Sequence, residues 1–437
     1  MKSSDAQASA LPLTGFRGWL AELESPAFLW SFLYFFLLLT AYYVLRPVRD
    51  ALGSTQNLQW LFSGTFVVML LLQPIYGALV SRFPRRVFLP VVYAVFIACL
   101  GFFYWAFHYD FGWRSAAFFI WVAVFNLFAV SVFWSYMADV FRNEDARRLY
   151  GYIGVGGTLG GFLGPIITRS LVNQVGVANL LLVSASLLTL CLLCIVKLAP
   201  FARGREIERT GHDEEQAMGG SILAGLRLIW QRPVLRAMAA LMFFGVGVGT
   251  LLYNEQAAIA RTAFDTAEAR TSYYAMIDLA INLTTISVQM LLTRYLLLRF
   301  GIAPLLLIPA GLILLGYCIL AAAPLPMLVA IVQVLTRSGE FSLAKPARET
   351  VYTRVDRESR YKAKAVIDTV VYRGGDVVFV WTHKLLASFG SLSVFLGGAT
   401  LAAGLAFSAW QLVRLQRKPL PEESSAPGAD LLTARHP

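Results

Sequence analysis

Residues 337–376 read RSGEFSLAKPARETVYTRVDRESRYKAKAVIDTVVYRGGD. Arg337 and Glu340 end one apolar run, a strongly basic segment follows, and Asp368, Arg373 and Asp376 lie inside the next apolar run. A charge within a membrane helix costs roughly 2.5–3.5 kcal/mol on insertion scales, so charges placed this way call for pairing, hydration or a function. Apolar run, basic loop and apolar run together describe a chain that leaves a membrane and re-enters it.

The same alternation extends outward in both directions. Of 437 residues, 57% are hydrophobic and only 14% charged, with a mean hydropathy of +0.63; soluble domains carry about 25% charged residues. Apolar runs long enough to cross about 30 Å of hydrocarbon predict twelve spans: Ala27–Leu45, Leu58–Val80, Val87–Phe107, Ala116–Val140, Leu149–Leu171, Val177–Leu198, Leu235–Ala260, Ser272–Leu297, Ala303–Ala322, Pro326–Ala344, Ala365–Ala387 and Leu392–Leu415. The expected fold class is an all-α polytopic membrane protein with twelve transmembrane helices in two six-helix halves.

Charge sets the orientation. When residues near a span end are counted with the loop they adjoin, 28 Lys and Arg fall on one side and 7 on the other, with Arg337 and Arg373 left out as lying deeper within spans. The positive-inside rule then puts both termini in the cytoplasm. The formal charge of +11 is therefore topological information, and no nucleic-acid partner is expected. No signal or transit peptide is expected before Ala27.

The longest hydrophilic interval divides the spans six and six, with a short amphipathic helix expected from Ser221 to Trp230. The expected organisation is a cytoplasmic segment 1–26, a first half 27–198, a cytoplasmic linker 199–234, a second half 235–415 and a disordered tail 416–437. Six plus six around a charged linker is the layout of a major facilitator transporter, whose halves are parallel repeats.

Four cysteines, Cys99, Cys191, Cys194 and Cys318, all lie in apolar runs, so no disulfide framework is expected. Cys191 and Cys194 form a CxxC surrounded by leucines, which favours buried small residues over a metal or redox centre. His108, His212, His383 and His436 are scattered in loops or near ends, and the expectation is no metal, no cofactor and no enzymatic chemistry.

Between the second and third spans, GALVSRFPRRVF matches the major facilitator loop signature at Gly77, Arg82, Arg85 and Arg86, with Ser81 in place of the usual acid and Pro84 in place of a glycine. A gate and a plain positive-inside loop both fit. TRYLLLRFG keeps Arg294, Arg299 and Gly301 as a weaker echo. The fifth span, GYIGVGGTLGGFLGP, sets Gly156, Gly160 and Gly164 on one face and Gly157 and Gly161 beside it, so a neighbouring helix is expected to approach closely. No lysine follows, which excludes a phosphate-cradling loop.

Arg46 and Asp50 are four apart in LRPVRD and share a helical face if the helix passes Pro47, with Arg49 adjacent to Asp50. Such arginines either snorkel at the interface or line a cavity and grip an anion bidentately. Asp278 and Asn282 share a face. Arg337 with Glu340, and Arg373 with Asp376, are spaced to neutralise one another or to be hydrated together in a transport cavity.

LRPVRD at 45–50, FWSYMADVFRNEDARRLYGYIGVGG at 133–157 and KPARETVYTRVDRESRYKAKAVIDTVVYRGGD at 345–376 resemble the bacterial branch of the ATP/ADP translocase (nucleotide transporter) family, a divergent major facilitator group. The resemblance covers most of Ala27–Leu415. It implies that Arg49 stands where the family has a functional lysine, and that Arg373, before Gly374 and Gly375, is the counterpart of a second. No carboxylate occurs between Ala116 and Met137 at the place of the family's glutamate, and Asn126 is the nearest polar residue. The expected function is secondary transport of an organic anion. Arg46, Arg49, Asn126, Arg337 and Arg373 would bind substrate, and Asp50, Asp278, Glu340 and Asp376 would balance charge or couple protons. A lipid or drug exporter of the same fold and a non-transporting sensor or scaffold are the alternatives. The expected setting is a monomer in a bacterial inner membrane, with the bilayer and a small anion as partners.

Overall fold

The computed structural model describes residues 25–82, 85–109, 111–141, 143–209, 222–352, 363–364 and 366–416, without the side chains of 73–87, 143–148, 204–209 and 222–225. Helix and no strand occurs among them. Helix α1 (Pro26–Gly53) starts where Ser25 accepts the Phe28 N–H on its hydroxyl and Pro26 supplies the pre-set φ of a first turn. It passes Pro47 without breaking, so Arg46, Arg49 and Asp50 are helical. Then come α2 (Leu58–Arg82), α3 (Arg85–His108) and α4 (Arg114–Val140).

Helix α5 (Asn143–Arg209) is 67 residues long, and its sole non-helical residue is Gly176, at φ 79 and ψ 167. That positive φ is open to glycine, and it joins the predicted fifth and sixth spans by a single-residue turn. After α6 (Ile222–Gln231) follow α7 (Pro233–Ala263), α8 (Ala267–Phe300), α9 (Ile302–Ala322), α10 (Pro326–Tyr352), α11 (Tyr372–Ala387) and α12 (Ser391–Gln416). Gly301, at φ 69, ends α8 and starts α9. Three π-helical segments interrupt this series: Gln289–Thr293 within α8, Glu340–Ala344 within α10, and Ile367–Val371 leading into α11.

Nine stretches among the described residues are long and apolar enough to cross a membrane. One of them, Leu149–Arg203, has 55 residues and doubles back at Gly176. With Leu58–Leu72 and Tyr372–Ala387 the set accommodates the twelve spans of the predicted fold. Helix α10 departs from expectation at its end, because Lys345–Tyr352 is helix rather than loop. Ala347, Val351 and Tyr352 are buried there at helical spacing while Lys345 and Glu349 are exposed, an amphipathic pattern that continues the span.

The chain forms two compact units, Met1–Ala217 with Ala257–Leu283, and Met218–Gln256 with Thr284–Pro437. In the first, α1 packs on both arms of α5. A methyl placed on Gly156 would lie 2.8 Å from the Phe32 carbonyl, one on Gly164 2.9 Å from that of Thr40, and one on Gly160 would strike Phe36 O. The fourfold glycine face is therefore where two backbones meet, as its spacing predicts. Thr168 donates its hydroxyl to Val44 O at 3.1 Å, and Ser184 donates to Ala41 O at 3.1 Å. Around this seam Phe133 stacks on Phe35 with centroids 4.4 Å apart and meets Tyr34 edge to face at 4.9 Å. Cys191 and Cys194 are buried beside them in the core cluster.

In the second unit, α7 packs on α11 and α9 on α12. Gly247 lies against the Phe379 ring, which meets Phe243 at 4.7 Å between centroids. The Tyr317 ring fills the place a side chain at Gly398 would take, and its hydroxyl donates to Val248 O.

Candidate functional site

The first unit holds a charge cluster built by α1 and α8. Arg46 pairs with Asp278 at 3.3 Å and lies 5.5 Å above the Tyr43 ring. One turn on, Arg49 donates through Nε and Nη2 to Asp50 Oδ1 at 2.8 and 2.6 Å, with its guanidinium 5.0 Å over Phe119. Asp50 and Asp278 are both buried. Asn282, one turn after Asp278, donates to Gly161 O at 2.6 Å, so the shared face of α8 reads both α1 and α5. Two arginines and two aspartates sum to zero, and each guanidinium has its carboxylate. Arg46 and Arg49 are thereby held in place rather than left exposed.

A polar seam runs between α7 and α11 in the second unit. Thr250 donates its hydroxyl to Asp376 Oδ1 at 3.0 Å, and Asn254 returns a bond to Thr250 O at 2.7 Å. Asp376 also faces Arg373, but at 3.7 Å, and the Arg373 side chain keeps 33% of its surface exposed, its guanidinium 5.3 Å from the Tyr372 ring. Two turns further along α11, His383 Nε2 meets Glu255 Oε1 at 2.8 Å, with both side chains largely buried. The sequence reading placed His383 with the scattered histidines of loops and ends; it lies inside α11 instead. Its signal was available: His383 follows Asp376 by seven residues, two helical turns, on the face that receives α7.

Helix α10 carries the third group. Glu340 is spaced to pair with Arg337, yet its partner is Arg348, at 2.6 Å. The mutual neutralisation of Arg337 and Glu340 is thus corrected: the extension of α10 through Lys345–Tyr352 brings in a second arginine that takes the carboxylate. Among the described residues no ion pair or hydrogen bond reaches the Arg337 side chain, and its Nε is buried without an acceptor. Asn126 is half-buried on α4, where no hydrogen bond reaches it among the described residues. Gly77, expected in the gate, lies in α2, the side chains of Arg82, Arg85 and Arg86 are outside the description, and Arg354, Arg357, Arg360 and Lys362 of the basic segment lie outside the described residues. Lys364 pairs with Glu349 at 2.7 Å, and Arg299 donates to the Tyr295 hydroxyl at 2.6 Å. Among the described residues no group of His, Cys, Asp and Glu could hold a metal ion.

No curated protein matches the sequence significantly. The chain is similar in structure to the nucleoside transporter NupG (D323A mutant), at 11% identity and a TM-score of 0.65 over 88% of this chain and 99% of that one. It is similar to a POT family transporter in complex with 5-aminolevulinic acid, at 13% identity, a TM-score of 0.61, and 93% and 99% coverage. A D-xylose-proton symporter gives 13% identity, a TM-score of 0.60, and 88% and 96% coverage. At such identities the likeness is one of fold. The family model of the Major Facilitator Superfamily matches residues 26–375. With most of its length matched and a bundle of membrane-length helices, the chain is an integral membrane protein and belongs to the Major Facilitator Superfamily.

Proposed function

We propose that the protein is a secondary active transporter that moves an organic anion, a nucleotide or a related phosphorylated or carboxylated solute, by alternating access, driven by exchange or proton coupling. The observation that carries this reading is Arg373. It is a guanidinium one third exposed, its ion pair to Asp376 is stretched to 3.7 Å, and a methyl on the adjacent Gly374 would meet nothing within 4 Å. A planar fork with open space beside it and a carboxylate already engaged by Thr250 can exchange that partner for a substrate oxygen acid. In this reading Arg46, Arg49 and Asn126 are further substrate contacts, and Asp50, Asp278, Glu340 and Asp376 balance charge or carry the coupling proton. Support for a nucleotide comes from the LRPVRD and VVYRGGD motifs. The full neutralisation of Arg46 and Arg49 favours a second reading, a neutral polar solute held mainly by hydrogen bonds.

Counterflow in proteoliposomes decides between them. Purified protein is loaded with ADP, other nucleotides, sugar phosphates, dicarboxylates or nucleosides, and radiolabelled uptake is followed with and without a proton gradient. Exchange of an anion that disappears in Arg373→Ala supports the first reading. Uptake of nucleosides alone supports the second, and a stable protein that moves none of these overturns both in favour of an exporter or a sensor.

A further inference from the structure

The unmatched guanidinium of Arg337 lies in a cavity inside the second unit from whose wall the transport reading draws only Glu340. Helix α10 contributes Thr336, Arg337, Glu340 and Arg348 to its wall, and the rest is largely apolar, including Leu241 of α7, Leu306 and Ile313 of α9 and Leu405 of α12. Among the described residues none of α11 lines it, which separates it from Arg373 and Asp376. Its volume is about 60 Å³, and it is partly open to the exterior.

The charges in this wall do not cancel. Glu340 is held by Arg348 at 2.6 Å, so two guanidinium groups share one carboxylate and a positive charge remains on Arg337. Its Nε is buried without an acceptor, and so is the hydroxyl of Thr336 beside it. Two donors without partners, one of them charged, at one end of an apolar cavity are costly within a membrane bundle unless something supplies oxygen atoms to them. A ligand that would do so carries a single oxygen acid at one end and hydrocarbon at the other.

We propose that this cavity binds the head of an anionic amphiphile, a phosphate or carboxylate paired with Arg337 and hydrogen-bonded by Thr336, its alkyl portion lying along Leu241, Leu306 and Leu405. The ligand's source is either a membrane lipid or a free amphiphilic acid. Both present the same chemistry to α10. Occupancy would complete the charge balance of α10 and tie it to α7, α9 and α12, a stabilising role independent of solute movement.

Thermal unfolding of delipidated protein in a neutral detergent tests the assignment, with dodecyl phosphate, phosphatidylglycerol, phosphatidylcholine and inorganic phosphate as probes. Dodecyl phosphate is expected to raise Tm at a half-saturating concentration at least tenfold below that of inorganic phosphate, with phosphatidylcholine inert. A phosphatidylglycerol response identifies the lipid source, and a dodecyl phosphate response alone identifies the free acid. Arg337→Gln should abolish the response and Arg337→Lys should weaken it about tenfold, keeping the charge but losing the fork. The lysine variant carries the test if the glutamine variant does not fold, and Arg373→Ala should respond as wild type. Equal responses to dodecyl phosphate and inorganic phosphate, a response to phosphatidylcholine of the same size, or an Arg337→Lys protein indistinguishable from wild type would overturn the proposal.

Discussion

Replacing Gly160 by alanine tests whether the α1–α5 seam holds the first unit together. The added methyl would strike Phe36 O and lie 2.9 Å from Thr40 N, both backbone atoms of α1 that no rotamer can move. The helices must separate by on the order of 1 Å to restore van der Waals contact, and overpacking of this kind costs about 1–3 kcal/mol. Separation also stretches the bonds from Thr168 to Val44 O and from Ser184 to Ala41 O, already at 3.1 Å. Each such bond contributes about 0.6 kcal/mol between membrane helices, so the expected loss totals roughly 2–4 kcal/mol. Gly154 is the control, because a methyl there meets nothing within 4 Å. The usual helix-propensity gain of about 1 kcal/mol from Gly to Ala shrinks in lipid, where separated helices remain helical, so Gly154→Ala should lie within about 1 kcal/mol of wild type. Thermal unfolding of the three proteins in lipid nanodiscs reads the difference. If Gly160→Ala unfolds with Gly154→Ala, α1 and α5 are not in backbone contact and the packing argument fails.

Asp278→Ala should destabilise the first unit by about 3–5 kcal/mol by stranding the buried Arg46, and adding Arg46→Leu should recover most of that loss; additive losses in the double-mutant cycle would mean that the 3.3 Å pair carries no coupling. Arg373→Ala should leave the unfolding free energy within about 1 kcal/mol of wild type, since its ion pair is long and partly exposed, while abolishing uptake; a stable variant with wild-type transport removes Arg373 from the substrate site. His383→Ala should cost about 2–4 kcal/mol by leaving the Glu255 carboxylate without its 2.8 Å partner, and His383→Gln, which can still donate to it, should regain at least half when both are unfolded at one pH.

Much of this architecture was legible in the sequence because membrane spans and close helix contacts depend on local composition. Apolar length gave the spans, and the i, i+4 glycines gave a face that α1 occupies. LRPVRD showed Arg46 and Asp50 one turn apart, but their partners could not follow from spacing: Arg46 finds Asp278, more than two hundred residues later, because α8 packs in the first unit. Glu340 was assigned to Arg337 because Arg348 had been placed in a loop, where hydrophilic residues ended the apolar count before the helix ended. His383 was overlooked for a different reason. Its seven-residue spacing from Asp376 marks the shared face, but spacing along α11 does not give Glu255 of α7 as its partner.

The π-helical segments have a consequence for how this chain tolerates change. Each residue of an α-helix advances the face by about 100°, so Glu340 and Arg348, eight apart, would stand about 80° from one another on a straight α10. The segment Glu340–Ala344 absorbs one residue, and the pair then behaves as if seven apart, about 20° from alignment, which is how they reach 2.6 Å. Deleting one residue from that segment would restore a regular α-helix with the pair seven apart and still about 20° from alignment, whereas deleting one from residues 345–347 would barely alter the hydropathy of the span yet swing Arg348 about 100° away from Glu340. Gln289–Thr293, within α8, and Ile367–Val371, ahead of α11, can absorb one residue in the same way. In this unit a single-residue insertion or deletion therefore re-aims a whole set of polar side chains only where no π-helical segment takes up the change, and a gap of one at such a segment leaves what the helices face unaltered.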